Sequence, residues 1–120
     1  MAWELLVSEQ PIFRTRIVTL HSSGTVQVVL RREIDWHAGM TLDEFVHYDE
    51  KTQFTYGSDL SRYGLVHDSE NGLYFVWSGH HAVSDGWSRP AMFDEIRRIC
   101  YLSHINTCNE IRLLGCSIAR

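Results

Sequence analysis

The stretch Leu73-Tyr74-Phe75-Val76-Trp77, followed by Ser78-Gly79, constrains the fold more than any other part of the chain. Side chains of a strand alternate between the two faces of a sheet, and this run is apolar at both sets of positions. A strand with no solvent-facing side belongs in a sheet interior. A strand over Arg62 to His67 precedes it, and Asp68 to Gly72, with Asn71-Gly72 at its end, is the turn between them. Of the 120 residues, 44 per cent are apolar, with four Trp, five Tyr and five Phe. That is enough for one core and argues against disorder.

The rest of the pattern supplies layers for such a sheet. Trp3, Leu6 and Val7 share one helical face within residues 2–9, and Pro11 bounds the segment. Residues 13–20 read as a strand through Thr15, Ile17, Val18 and Thr19. The Ser22-Ser23-Gly24 turn leads to a second strand, Thr25 to Leu30, forming a hairpin. Thr41-Leu42-Asp43-Glu44 has capping-box spacing and opens a helix reaching about Thr52. Ser88 reads as the N-cap of a last helix, with Pro90 in its first turn and Met92, Phe93, Ile96 and Ile99 on its apolar face. The expected class is α/β, a two-layer sandwich with helices packed on a mixed or antiparallel sheet.

Charge excludes several functions. The net charge is -4, ten of the eleven basic residues are Arg, and they cluster no further than the pairs Arg31-Arg32 and Arg97-Arg98. No basic stripe suited to nucleic acid is present. No apolar run approaches the roughly 20 residues that span a bilayer, and Met1 to Glu4 lack the marks of a signal peptide. The chain reads as cytoplasmic and soluble. Cys100, Cys108 and Cys116 are an odd set without zinc-ligand spacing, and read as plain thiols.

The chemistry concentrates in Gly79-His80-His81-Ala82-Val83-Ser84-Asp85-Gly86-Trp87-Ser88, between the buried strand and the last helix. A loop at a strand end is a common place for catalytic groups. An imidazole there can move a proton near neutral pH, and Gly79 and Gly86 permit backbone angles closed to other residues. Core or surface histidines are the plainer alternative. A metal site from His80, His81 and Asp85 is disfavoured, because neighbouring residues on extended chain point different ways. Trp77 and Trp87 read as packing residues. Neither Ser84 nor Ser88 sits in a nucleophile elbow.

The string His80-His81-Ala82-Val83-Ser84-Asp85-Gly86-Trp87-Ser88 resembles the His-His-x-x-x-Asp-Gly signature of nonribosomal peptide synthetase condensation domains, of fungal flavour. Phe13-Arg14-Thr15 resembles that family's upstream Leu-Arg-Thr motif, though Glu9-Gln10-Pro11 stands where Arg-His-Glu is usual. Val26 to Val29, Leu42 to Phe45 and Leu73 to Trp77 add to the likeness, which covers about residues 2–100. The resemblance implies acyl transfer from a carrier-bound thioester to an amine, with substrates on phosphopantetheine arms and no cofactor bound directly. It implies a chloramphenicol-acetyltransferase-like half-domain that faces a second half across a tunnel. His81 would face the reaction centre, as a base for the amine or as a group that positions it and steadies the tetrahedral intermediate. His80 and Gly86 would shape the loop, and Asp85 would be structural, paired with Arg14.

Residues 1–100 are thus expected to be a partial condensation subdomain, and 101–120 an atypical tail that leaves the family pattern. The opening strand with its Ser-x-Ala-Gln motif and the second half have no counterpart in these 120 residues. Expected partners are carrier domains and that second half, with no nucleic acid and no membrane. Too little of the domain is present for the chain to act alone. The alternatives are a non-catalytic remnant or carrier-binding fragment, and a coenzyme-A-dependent relative of the same superfamily.

Overall fold

The computed structural model describes residues 2–67, 70 and 72–102, with the backbone of one strand at 112–115. Helix α1 (Ala2–Glu9) passes through a 3-10 turn (Pro11–Arg14) into the hairpin β1 (Thr15–Leu20) and β2 (Gly24–Val29). Then follow β3 (Trp36–Thr41), α2 (Leu42–Lys51), β4 (Ser61–His67), β5 (Leu73–Gly79), α3 (Ser88–Leu102) and β6 (Arg112–Gly115). β1 and β2 make a separate two-stranded sheet, and the main sheet runs β3-β4-β5-β6.

β4 and β5 pair antiparallel from Ser61↔Gly79 to His67↔Leu73, so the apolar run does occupy a sheet interior. β3 joins parallel to β4, and the register shifts between Ala38 and Met40. The shift falls at Gly39, whose φ of 79° is left-handed and suits glycine. β6 pairs parallel to β5.

Alternation along β4 and β5 sends successive residues to opposite faces. Tyr63, Phe75 and Trp77 join Trp3, Leu6, Ile96 and Ile99 in the larger core, beneath α1 and α3. Trp3 stacks on Phe75 with centroids 4.2 Å apart and planes 17° from parallel. Val66 and Val76 look the other way and meet Phe45 of α2. Helices therefore cover both faces of the sheet, whereas the sequence suggested a single helical layer.

The Thr41–Glu44 capping box forms as expected. Glu44 N donates to Thr41 Oγ1 at 3.2 Å, and Thr41 N donates to the Glu44 carboxylate at 2.8 Å. α2 is fastened at its other end by charge. Asp49, 6 per cent exposed, pairs with Arg62 of β4 and accepts from the Ser78 hydroxyl of β5 at 2.7 Å. Arg62 also donates to the Thr52 carbonyl at 2.8 Å, and its guanidinium lies 4.4 Å from the Phe54 ring centroid. Since Arg62 and Ser78 are opposite each other in the β4–β5 register, one carboxylate spans both strands.

Two expectations change. β3 was absent from the sequence reading because Gly39 breaks its alternation and its partner lies beyond α2. Cys100 is disulfide-bonded rather than a plain thiol.

Asp49→Ala leaves the largely covered Arg62 guanidinium without its counter-charge. It is expected to cost about 3–5 kcal/mol, read as a fall in urea midpoint with unchanged slope. A loss below about 1 kcal/mol would show that the pair contributes no more than a surface ion pair.

Candidate functional site

β5 delivers the histidine loop, and Gly79 is the last residue of the strand. Its conformation is ordinary, since the left-handed glycines are Gly24, Gly39 and Gly57. Space is what requires glycine here. A Cβ on Gly79 would stand 2.2 Å from Cζ2 of the Trp77 indole. Gly86 has open space around it, so neither glycine is there for special backbone angles, contrary to expectation.

His80 is fixed by its backbone. Its N–H donates to the Leu60 carbonyl at 2.9 Å, and its carbonyl accepts from Val83 N at 3.0 Å. The ring accepts from Ala82 N through Nδ1 at 3.0 Å and meets Tyr56 edge-on, with centroids 6.3 Å apart. An Nδ1 that accepts an N–H carries no proton, so neutral His80 holds its proton on Nε2. His81 is exposed, and its Nδ1 lies 3.4 Å from the Ser84 carbonyl. A carbonyl can only accept, so in this contact Nδ1 carries the proton and Nε2 keeps its lone pair. These contacts favour opposite tautomers for the two adjacent histidines, and His81 Nε2 makes no hydrogen bond to the described residues.

Val83, 6 per cent exposed, plugs the loop into the larger core. Asp85 then leads into α3. Its Oδ1 accepts from Trp87 N at 3.0 Å and Ser88 N at 2.7 Å. Asp85 N in turn donates to Ser88 Oγ at 2.8 Å, and Arg89 N bonds the Asp85 carbonyl at 3.2 Å. The pattern is that of a reciprocal capping box laid just ahead of α3, the Asp85 carboxylate and the Ser88 hydroxyl each bonded to the other's backbone amide. The Ser88 amide, foremost among the donors, holds the Asp85 carboxyl below the usual aspartate range.

Arg14 does not pair with Asp85. Its Nε donates to the Val7 carbonyl at 2.9 Å, Nη1 to Leu30 at 2.7 Å and Nη2 to Ser8 at 3.2 Å. The last carbonyls of α1 lack helical partners, and a planar guanidinium meets several of them at once. Asp85, with its oxygen already bonded to helix amides, needs no arginine. Ser88, the expected N-cap, is instead the first residue of α3, and its hydroxyl accepts from Asp85 N. Trp77 is fully buried, as expected, but Trp87 is 91 per cent exposed rather than packed.

Sequence reasoning missed Leu60 and Tyr56, which support His80 from the loop before β4. Their roles depend on a backbone carbonyl and a ring contact across distant segments, which leave no local signal. A cavity of about 370 Å³ lies elsewhere, lined by Phe13, Arg14, Arg32, Phe54, Asp59 and Tyr63 among others, and neither His80 nor His81 lines it.

The profile of the Condensation domain family matches residues 1–109. The chain belongs to the condensation-domain family. It is 42 per cent identical over 97 residues to a nonribosomal peptide synthetase of Emericella nidulans, covering 81 per cent of this chain and 1 per cent of that protein. A synthetase of Cordyceps militaris is 36 per cent identical over 104 residues, 87 per cent of this chain and 2 per cent of that one. For a synthetase of Aspergillus fumigatus the identity is 40 per cent over 96 residues, 79 per cent of this chain and 5 per cent of the relative. The chain thus spans a few per cent of the length of these relatives. Their identity to it accords with the fungal flavour of the histidine string. Among the described residues, no helix is long and apolar enough to cross a membrane.

The Asp85 cap makes a pH prediction. A carboxyl lowered in the folded state stabilises it above the unfolded aspartate range, and this contribution disappears as pH falls through the folded value. Melting temperature followed through the acid range should therefore fall less steeply in Asp85→Asn than in the unmodified chain. Parallel profiles would remove Asp85 from the cap.

Proposed function

We propose that this condensation-family chain supplies the histidine side of an amide-forming site, in which an amine takes an acyl group from a carrier-bound thioester. The supporting observation is His81 itself, exposed just past the end of a buried strand, with Nδ1 3.4 Å from the Ser84 carbonyl and Nε2 without a hydrogen bond to the described residues. In the reaction the amine nitrogen attacks the thioester carbon, and the tetrahedral intermediate expels the phosphopantetheine sulfur. The proton leaving the amine travels through His81 Nε2 to that thiolate, so an amide and a free thiol result. The same nitrogen serves equally to hold the amine in place and to steady the intermediate.

His80, with Nδ1 engaged and its backbone clamped to Leu60, supports the loop rather than exchanging protons. Asp85 supports it from the helix side, and Gly86 follows the cap. Arg14 acts at a distance, by joining α1 to the end of β2. The natural partners are carrier domains bearing the substrates and a second half of a chloramphenicol-acetyltransferase-like domain, in the cytoplasm. His81 lies on an open surface outside the cavity. Holding two substrates in register contributes about 7–11 kcal/mol to such reactions, and an open surface cannot do it. This favours turnover in a larger assembly and none by the chain alone.

In a synthetase carrying this segment, His81→Ala should lower amide formation by about 10²–10⁴, with carrier loading unchanged. Measured single-turnover rates within a factor of about three of the unmodified enzyme would leave His81 without a role in the chemistry.

A further inference from the structure

Two turns meet beside the histidines, and one exposed ring connects them. The first covers residues 55–58. Ser58 N donates to the Thr55 carbonyl at 3.1 Å, and the Ser58 hydroxyl accepts from Thr55 N at 3.2 Å and donates to that carbonyl at 2.7 Å. Gly57 takes the third place with a left-handed φ of 89°, as a type II turn requires. Its N–H donates to the Ile17 carbonyl at 2.6 Å, which ties the turn to β1. Tyr56 holds the remaining corner. Its ring is 62 per cent exposed, and the aromatic partner it meets is the His80 imidazole, with planes 66° apart. A tightly bonded turn thus presents a mostly exposed tyrosine to one particular histidine.

The second turn covers residues 80–83, closed by Val83 N on the His80 carbonyl, with His81 and Ala82 at its corners. The His80 side chain closes it again, because Nδ1 accepts from Ala82 N at 3.0 Å. Asn and Asp tighten turns in the same way, by bonding the backbone two residues on. An imidazole can do this in one ring orientation only, since rotation about Cβ–Cγ carries Nδ1 away from the amide. The bond from His80 N to the Leu60 carbonyl fixes the main chain but not that angle. The groups placed to set it are Ala82 N on one side and the Tyr56 ring on the other.

We propose that Tyr56 is a positioning residue of the histidine site: by holding the His80 imidazole against Ala82 N, it keeps closed the turn whose corner carries His81. The consequence for amide formation rests on the reading of His81 as the reacting histidine, whereas the ring contact does not. An edge-on contact is made by the flat ring and needs no hydroxyl. Phenylalanine should therefore replace Tyr56, and leucine, of comparable bulk but without a ring, should not.

The test has two readings. The first is the ¹⁵N spectrum of labelled histidine in the full chain at neutral pH. His80 should be Nε2–H in the unmodified chain and in Tyr56→Phe. In Tyr56→Ala and Tyr56→Leu its two nitrogens should move towards a tautomer average, with the urea midpoint unchanged because the ring is mostly exposed. The second reading is single-turnover amide formation in a synthetase carrying this segment. Tyr56→Ala should slow it by about 10- to 10²-fold at saturating substrate, and Tyr56→Phe should restore it. An unchanged His80 spectrum in Tyr56→Ala would overturn the proposal, as would leucine serving as well as phenylalanine. A shifted spectrum with an unchanged rate would overturn it too, since His81 would then not depend on the turn. If His81→Ala itself leaves the rate intact while the spectra behave as expected, the proposed function falls and the hold of Tyr56 on His80 stands.

Discussion

The antiparallel pairing of β4 with β5 is the constraint on which the site depends. Its register puts Ser61 opposite Gly79, which sets the Leu60 carbonyl where His80 N can reach it. A slip of one residue would turn Phe75 and Trp77 to the α2 face and Val76 toward α1 and α3. The two cores differ so much in size that the slipped register is not a competitor. The trimmed Gly79 then lets the Trp77 indole lie along the strand end. Packing against α1 and α3 thereby fixes the point from which the histidine loop departs.

Polar groups complete what packing begins, and each has a local task. Asp49 ties α2 to both central strands through Arg62 and Ser78. Asp59 takes Arg16 at 2.9 Å and Arg32 at 2.5 Å, joining the hairpin to the loop beneath His80. Although burial opposes it, the pull of Arg32 and Arg16 leaves the Asp59 carboxyl below its usual range. Asp85 and Arg14, at opposite helix ends, each satisfy main-chain groups a helix leaves without partners.

The strongly patterned parts of the fold were legible in the sequence. The two-sided apolar run could only be an internal strand, and Thr41-x-x-Glu44 could cap a helix wherever the chain put it. The histidine string carries the family's mark in nine consecutive residues, His80 to Ser88. What escaped were relations between distant segments. β3 pairs with a strand beyond the next helix, so nothing near Trp36–Thr41 marks it. Arg14 bonds carbonyls, which look alike in every residue, and so the carboxylate with the right motif drew the pairing instead. Asp85 and Ser88 stand three apart, the spacing of a capping box, and the helix begins at Ser88, one residue before the start that a Ser88 cap implies.

What the chemistry requires of this loop is His81 with its proton on Nδ1 and Nε2 open to a substrate. The tautomer of each imidazole in the isolated chain, read at neutral pH from ¹⁵N chemical shifts and two-bond couplings of labelled histidine, tests it directly. Nδ1–H for His81 beside Nε2–H for His80 is the expected result. Nε2–H at His81 would mean the Ser84 carbonyl does not set the ring, and the basic nitrogen would then face away from any substrate.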